Sequence, residues 1–409
     1  MEYSDVVIVG AGHGGAQAAI ALRKNNFAGS IAMIDDASEH PYERPPLSKD
    51  YLAGEKAFER FQIRPADFWQ KNSVNLKLGS KVQRLGDGKR SIVLENGHEI
   101  SFGNLIWSAG GEARQLSCAG SDSNGVHVLR NKCDADRLKA DLEKGATRAL
   151  IVGGGYIGLE AAAVLTKLGL EVTVVETFAR VLSRVAGAEV SEFFQVLHRC
   201  HGVELLLETH VERLESKGGR VAGVVLTDGR RIFCDLVIVG IGIKPNVGPL
   251  LAEGADGEQG VLVDALCRTS LDNIYAIGDC AEHANSYACG AIMRVESVQN
   301  AADMAETVAK SICGEDVPYA ATPWFWSHQY DVKLQTVGIS AGYDQTILRG
   351  EPSDGKFSVI YLRHGQVAAL DCINNMKDFV QGRKLVEAKA VIDREIASNI
   401  NIQLKDLID

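Results

Sequence analysis

The chain has 409 residues, 46% hydrophobic and 23% charged, with a formal net charge of −10; this fits two or three folded domains and excludes long disorder or low complexity. No basic block interrupts the acidic balance, which excludes a general nucleic-acid binder, and no apolar run approaches the roughly 18 residues that would span a bilayer. The composition is distinctive for its 42 glycines against 9 prolines, a bias that points to tight strand-to-helix turns where backbone approaches a nucleotide.

The amino terminus carries no cationic leader and runs straight into a strand at 5–9, so no secretory signal is expected. That strand leads into Gly10-Ala11-Gly12-His13-Gly14-Gly15, a helix at 16–24 and a second strand at 30–34 that ends in Asp35-Asp36. In this dinucleotide fingerprint Gly10 permits the tight turn, Gly12 lets the backbone approach a pyrophosphate, and Gly15 lets helix and strand pack closely. The acid that should bond the adenosine ribose is either Asp35 or Asp36.

The same pattern returns where a strand at 149–152 meets Gly153-Gly154-Gly155-Tyr156-Ile157-Gly158, followed by a helix at 159–168 and a strand at 171–175 that ends in Glu176. One GxGxxG is weak evidence; two, each with its strand, helix and terminal acid, imply two bound dinucleotides. Glu176 accepts from ribose hydroxyls but would repel a 2′-phosphate, which favours NADH over NADPH at the second site. Arg180 is expected over the adenine or pyrophosphate, with a surface ion pair as the rival reading; Arg184 lies nearby. Two dinucleotides on one chain suggest a resident flavin and an exchangeable nicotinamide.

Further along, the segment at 271–279 reads as a strand ending in Gly278-Asp279, and that at 105–111 as a strand running through Ala109-Gly110. Both resemble segments of the two-dinucleotide flavoprotein reductases. In those proteins such an Asp bonds the ribityl chain of FAD, and the first fingerprint holds its ADP half. The runs Tyr42-Glu43-Arg44-Pro45-Pro46-Leu47-Ser48-Lys49, Pro323-Trp324-Phe325-Trp326-Ser327, 153–160 and 294–301 narrow the likeness. Together they resemble the NADH:ferredoxin reductases of bacterial oxygenase systems, over nearly the whole chain.

The resemblance implies Arg44, Pro45 and Lys49 at the flavin, Glu160 as the partner of Lys49 and Trp326 at the ring face; Glu296 is a further cofactor-binding candidate, and Gly242, in the crossover run at 240–246, is expected near the nicotinamide. The resemblance makes Lys49, Glu160 and Trp326 the catalytic candidates. Tyr156 and Ile157 join Gly153, Gly155 and Gly158 at the NADH turn. His328 stands where relatives commonly have Asp.

The implied fold is α/β: two Rossmann-like dinucleotide-binding domains, one inserted in the other, plus a C-terminal α+β domain, as in glutathione-reductase-like flavoproteins. Residues 1–112 and 243–321 would form the FAD domain, 113–242 the NADH domain, and 322–409 the third domain. This last part would contain strands at 333–337, 357–362 and 366–373 and a helical stretch at 376–398.

The implied function is transfer of a hydride from NADH to FAD and of single electrons to a 2Fe-2S ferredoxin serving a monooxygenase or dioxygenase. The alternatives are an NADH oxidase, peroxide reductase or disulfide reductase of the same fold, or an NADH-sensing flavoprotein resembling apoptosis-inducing factor. Disulfide chemistry is disfavoured because 44–49 occupies the segment where cousins carry a redox cysteine. The nine cysteines include no CxxC, which fits reduced thiols, a cytoplasmic location and no metal; Cys280, beside Asp279, is expected to point into the core. A monomer or weak homodimer is expected, with no membrane and no nucleic acid as partner. Arg294, Lys384 and Lys389 are the candidate cations for docking an acidic ferredoxin.

Overall fold

A computed structural model describes residues 2–407, which divide into two compact units. The first comprises Met1–Glu43, Phe58–Glu112 and Lys244–Pro323. Its 7-stranded sheet runs Val74–Lys77, Ile31–Ile34, Glu2–Val9, Glu99–Trp107, Ser91–Leu94, Val82–Leu85, with Ile274–Ala276 pairing alongside Glu99–Trp107. Five of these strands, Val74–Lys77, Ile31–Ile34, Glu2–Val9, Glu99–Trp107 and Ile274–Ala276, are mutually parallel. Val6, Val7 and Ile8 are fully buried, as expected for a parallel strand covered on both faces.

Helix His13–Lys24 begins three residues before the sequence places it, because the last residues of the glycine turn already take helical geometry. Its Gly14, Gly15, Ala16, Ala18 and Ala19 are buried. The helix packs against helix Val298–Ile312. The parallel strands therefore all aim their carboxyl ends, with Gly10, Asp35, Ser108 and Asp279, towards one crevice, the usual ligand position in such sheets.

The second unit comprises Arg44–Ala57, Ala113–Ile243 and Trp324–Asp409. It contains a five-stranded parallel sheet in the order Glu204–Leu206, Glu171–Val175, Arg148–Val152, Leu236–Val239, Val126–Val128. An antiparallel five-stranded sheet follows, ordered Trp324–Gln329, Val332–Gly338, Gln366–Ile373, Lys356–Arg363, Gln345–Glu351. The core that joins them contains Leu159, Val181 and Phe194 from the first part and Leu334, Phe357 and Tyr361 from the second.

The helix expected at 376–398 is in fact two. Met376–Ala388 stops at Lys389, which is left-handed at φ 47°, and Arg394–Ser398 follows. Between them the Ala390 carbonyl accepts from the Val367 amide at 2.9 Å and Val391 bridges Gln366. The first residues of the central strand Gln366–Ile373 bond the backbone that a continuous helix would have used.

A buried polar tie also crosses this unit. Tyr361 donates to Asp371 Oδ2 at 2.6 Å, while its own oxygen accepts from the Gly187 amide, the N-cap of helix Ala188–Cys200, at 2.9 Å. Burial raises the Asp371 carboxyl from its ordinary 3.8 to about 6, against the hydroxyls of Thr336 and Tyr361, which lower it. The folded state therefore favours the protonated acid. That contribution, about 3 kcal/mol at most, is complete below about pH 4 and is lost as pH rises through about 6. Asp371→Asn should remove the loss. Urea unfolding at several pH values should find the variant gaining on the parent between about pH 4 and 7, and a gap independent of pH would refute the assignment.

Candidate functional site

The first glycine turn is built by steric necessity. Gly10 sits at φ +98°, and a Cβ there would lie 2.4 Å from the Ser108 carbonyl oxygen; one on Gly15 would lie 1.8 Å from the Gly10 oxygen. Gly12 caps the helix in extended conformation. Asp35 closes the turn, accepting from the Ala11 and Ala37 amides at 2.5 and 2.8 Å, whereas Asp36 is exposed.

Ala109 and Gly110 follow the neighbouring strand, held through their carbonyls by Asn246. Asp279 lies in the single turn Gly278–Cys280 after strand Ile274–Ala276. Its carbonyl accepts from Arg294 at 2.9 Å, and the same guanidinium nitrogen reaches Glu296 at 2.7 Å. Arg294 is thereby committed internally and only 14% exposed, which removes it from the exposed docking cations.

The second turn repeats these features. Gly153 is at φ +107° with the Gly240 oxygen 2.4 Å from a would-be Cβ, and a Cβ on Gly158 would meet the Gly153 oxygen at 2.1 Å. Glu176, 8% exposed, accepts from the Gly154 and Phe178 amides at 2.7 and 2.9 Å. Asp35 makes the same two bonds in the first turn, so it and not Asp36 matches Glu176 in position.

A Cβ on Gly155 or Gly242 would meet nothing within 4 Å. The start of helix Tyr156–Lys167 thus presents bare backbone to open space, with Ile157 42% exposed beside it. Such a cradle of helix-terminal amides fits a pyrophosphate. Arg180 departs from the expectation. Its guanidinium donates to the carbonyls of Ser183, Ala186 and Gly187 and to Ser191 Oγ, pinning the loop after Glu176 where a nucleotide cover was expected.

A buried charged cluster stands on the helix of the second turn. Glu160, on the helix of the second turn, is 4% exposed. Its Oε2 lies 2.5 Å from Lys49 Nζ and accepts from Ser48 Oγ at 2.7 Å; its Oε1 accepts from Ser327 Oγ at 2.7 Å. Lys49 also donates to the Pro45 carbonyl at 3.2 Å. It follows the turn Pro45–Ser48, whose two prolines pre-set the first φ angles. Arg44, just before the turn, donates to the Arg130 carbonyl at 3.1 Å.

Strand Trp324–Gln329 alternates faces. Phe325 lies 4.5 Å from the Tyr156 ring and Ser327 bonds Glu160, while Trp326 is half-buried with Trp324 at 5.3 Å between centroids. His328 is exposed; partial burial and then the Lys49 charge lower its pKa. Ser48 and Ser327 were not singled out in the sequence, although both stand inside the quoted motifs. A buried carboxylate needs more donors than one ammonium provides, and the serines beside Lys49 and Trp326 are the available signal.

All nine cysteines are free. Cys280 is buried among backbone carbonyls and burial pushes its thiol up to about 12, far from the thiolate that disulfide exchange uses. Among the described residues no helix is long and apolar enough to cross a membrane, and no group of three or more His, Cys, Asp or Glu is placed to hold a metal ion.

Two glycine turns, each closed by its own strand-end acid, define a protein built around a pair of dinucleotide sites. Residues 4–305 match the family model described as pyridine nucleotide-disulphide oxidoreductase, and 324–408 the model described as reductase C-terminal. The chain belongs to the pyridine nucleotide-disulphide oxidoreductase family. It is 55% identical to a ferredoxin–NAD(P)(+) reductase of Sphingomonas sp., covering 95% of this chain and 94% of the relative. It is 52% identical to the ferredoxin reductase subunit of a 5,5′-dehydrodivanillate O-demethylase from Sphingobium sp., covering 100% and 99%. The covalent putidaredoxin reductase–putidaredoxin complex superposes with TM-score 0.95 at 35% identity, covering 99% of this chain and 98% of that one.

Proposed function

We propose that the chain is an FAD-dependent NADH:ferredoxin oxidoreductase that serves an oxygenase through a small 2Fe-2S ferredoxin. The observation that carries this reading is the pair of acid-closed glycine turns, on a chain similar along its whole length to proteins named ferredoxin reductases. Bound FAD would supply the conversion of a two-electron hydride donor into single-electron delivery.

The remaining roles fall to the chain's own residues. Gly10, Gly12, Gly15 and Asp35 would hold the adenosine half of FAD, with Ala109, Gly110, Asp279 and Glu296 further along it. Arg44, Pro45, Lys49 and Trp326 would border the ring. Gly153, Gly155, Tyr156, Ile157, Gly158, Glu176 and Gly242 would hold NADH. Lys49, held in place by Glu160, would stabilise negative charge gained at the ring edge, and Trp326 would screen the ring from water. Residues 1–112 and 243–321 would be the FAD domain, 113–242 the NADH domain and 322–409 the third domain. A cytoplasmic monomer or weak homodimer completes the reading.

The test is NADH oxidation by the FAD-loaded protein with alternative acceptors. Fast turnover is expected with a 2Fe-2S ferredoxin coupled to cytochrome c, and slow turnover with disulfides or peroxide; the reverse order would overturn the proposal. With Arg294 committed internally, the exposed Lys384 and Lys389 remain as candidates for docking an acidic partner. Rising salt should raise KM for the ferredoxin and leave that for NADH nearly unchanged. Lys384→Glu with Lys389→Glu should raise the ferredoxin KM about threefold or more, since a few tenths of a kcal/mol per exposed charge suffices. A salt-independent KM would point to an apolar contact instead.

A further inference from the structure

Behind Glu160 lies a chain of buried polar side chains that none of the roles above uses. Ser327, which donates to Glu160 Oε1, accepts from Gln329 Nε2 at 3.2 Å; Gln329 Oε1 lies 2.8 Å from His198 Nε2; and His198 Nδ1 lies 3.3 Å from the Tyr330 hydroxyl. Ser327 and His198 are fully buried, and Gln329 is 1% exposed. The members come from separate segments: Glu160 from helix Tyr156–Lys167, Ser327 and Gln329 from strand Trp324–Gln329, and His198 from helix Ala188–Cys200. We propose that His198 and Gln329 are positioning residues that fix the Glu160 carboxylate, and through it the Lys49 ammonium, by a one-way hydrogen-bond chain. The proposal deepens the reading above and rests on Lys49 bordering the flavin.

Direction is forced by proton counting. Ser327 has a single hydroxyl proton, and the ionised Glu160 can only accept, so that proton goes to Glu160. Gln329 must then turn its NH2 towards Ser327 and its carbonyl towards His198. This leaves His198 to donate from Nε2 and accept at Nδ1 from the Tyr330 hydroxyl. A neutral imidazole has that one donor and one acceptor, and burial holds His198 down at about 4, so it stays neutral.

Successive donors pointing the same way polarise one another, strengthening the last bond to the carboxylate. Tyr330 at the outer end is itself constrained. It occupies the turn between strands Trp324–Gln329 and Val332–Gly338 at φ 56°, unusual for a bulky residue, with its ring stacked 3.7 Å from His201. If Gln329 or His198 lost its polar group, the amide or the hydroxyl next in line would be free to turn. Glu160 would then be held on one side only, by Ser48 and Lys49.

The test compares His198→Leu, His198→Gln and Gln329→Met in the FAD-loaded enzyme. The Gln side chain can place an N–H donor near the position of imidazole Nε2. At saturating NADH, His198→Leu and Gln329→Met should reduce flavin about three- to tenfold more slowly, equivalent to roughly 0.7 to 1.4 kcal/mol, and lower the flavin midpoint potential. The Kd for NADH should stay within about twofold, and His198→Gln should recover most of the rate. In a Lys49→Met background, Gln329→Met should add little, because its effect passes through Lys49.

Nitrogen NMR of histidine-labelled apoprotein should show His198 neutral and protonated at Nε2 across neutral pH. Should His198→Leu fail to fold, Gln329→Met and the NMR tautomer decide. Wild-type rate and potential in Gln329→Met, equal defects in His198→Gln and His198→Leu, or the opposite tautomer would each overturn the proposal. A Lys49→Met variant that reduces flavin normally would bring down the flavin-side reading and this one with it. If Lys49→Met is slow and the His198 and Gln329 variants are not, only the positioning chain falls.

Discussion

Replacing Lys49 with Ala is expected to slow NADH-driven flavin reduction by an order of magnitude or more, at least about 1.4 kcal/mol in the barrier. Glu160 is 4% exposed and has three donors, Ser48, Lys49 and Ser327, of which only Lys49 carries charge. Without it the carboxylate faces two neutral hydroxyls. It is then left uncompensated, which on the proposed reading is beside an acceptor that must gain negative charge. Removing one member of a buried pair also costs stability, about 3 kcal/mol or more in comparable cases. The rate should therefore be read by stopped flow on protein shown to retain FAD. Glu160→Gln separates the two contributions, since it removes the charge and keeps an acceptor for the serines. If Lys49→Ala reduces flavin at the parent rate, the pair serves folding alone.

Glu176 should govern the choice of nicotinamide. The parent enzyme is expected to prefer NADH to NADPH by at least about tenfold in kcat/KM, roughly 1.4 kcal/mol, a size that one partly desolvated charge repulsion can supply. Its carboxylate is 8% exposed and held in place by the Gly154 and Phe178 amides, so it cannot swing away from an incoming 2′-phosphate. Those same bonds mean that Glu176→Ala loosens the glycine turn, and NADH efficiency should fall while the gap narrows. Glu176→Gln should narrow the gap with a smaller loss for NADH, because an amide oxygen still serves one backbone donor. With Arg180 tied to its own loop, the exposed Arg184 is the nearby cation left to meet a phosphate in these variants. Equal use of both nucleotides by the parent would discard the assignment.

Local backbone requirements were legible in the chain before any coordinates. Both glycine turns, their flanking strands and helices and the acid at the end of Glu171–Val175 lie within short stretches. At Gly10, Gly15, Gly153 and Gly158 a side chain would collide with a carbonyl oxygen of the turn or a neighbouring strand. Such constraints act over a few residues and leave a pattern. Asp35 and Asp36 were inseparable because both follow the strand; only the direction of the side chain, towards Ala11 or towards solvent, tells them apart. The bonds of Arg180 are illegible for a related reason, as spacing from Glu176 places it near a nucleotide but does not show the carbonyls of Ser183, Ala186 and Gly187 curling round it.

The pairing of Lys49 with Glu160 came from resemblance, since nothing local links a residue after a proline turn to one in a distant helix. The serines on either side, and His198 and Gln329 behind them, belong to no motif. The break at Lys389 escaped for the same reason, because a helical pattern at 376–398 does not reveal that Ala390 will bond to Val367. The sequence by itself determined what each short segment's backbone must do: turn tightly, expose helix-end amides, end a strand in an acid. Tertiary structure alone decided which buried polar groups meet, because a carboxylate shut away from water must take its donors from whichever segments packing brings beside it.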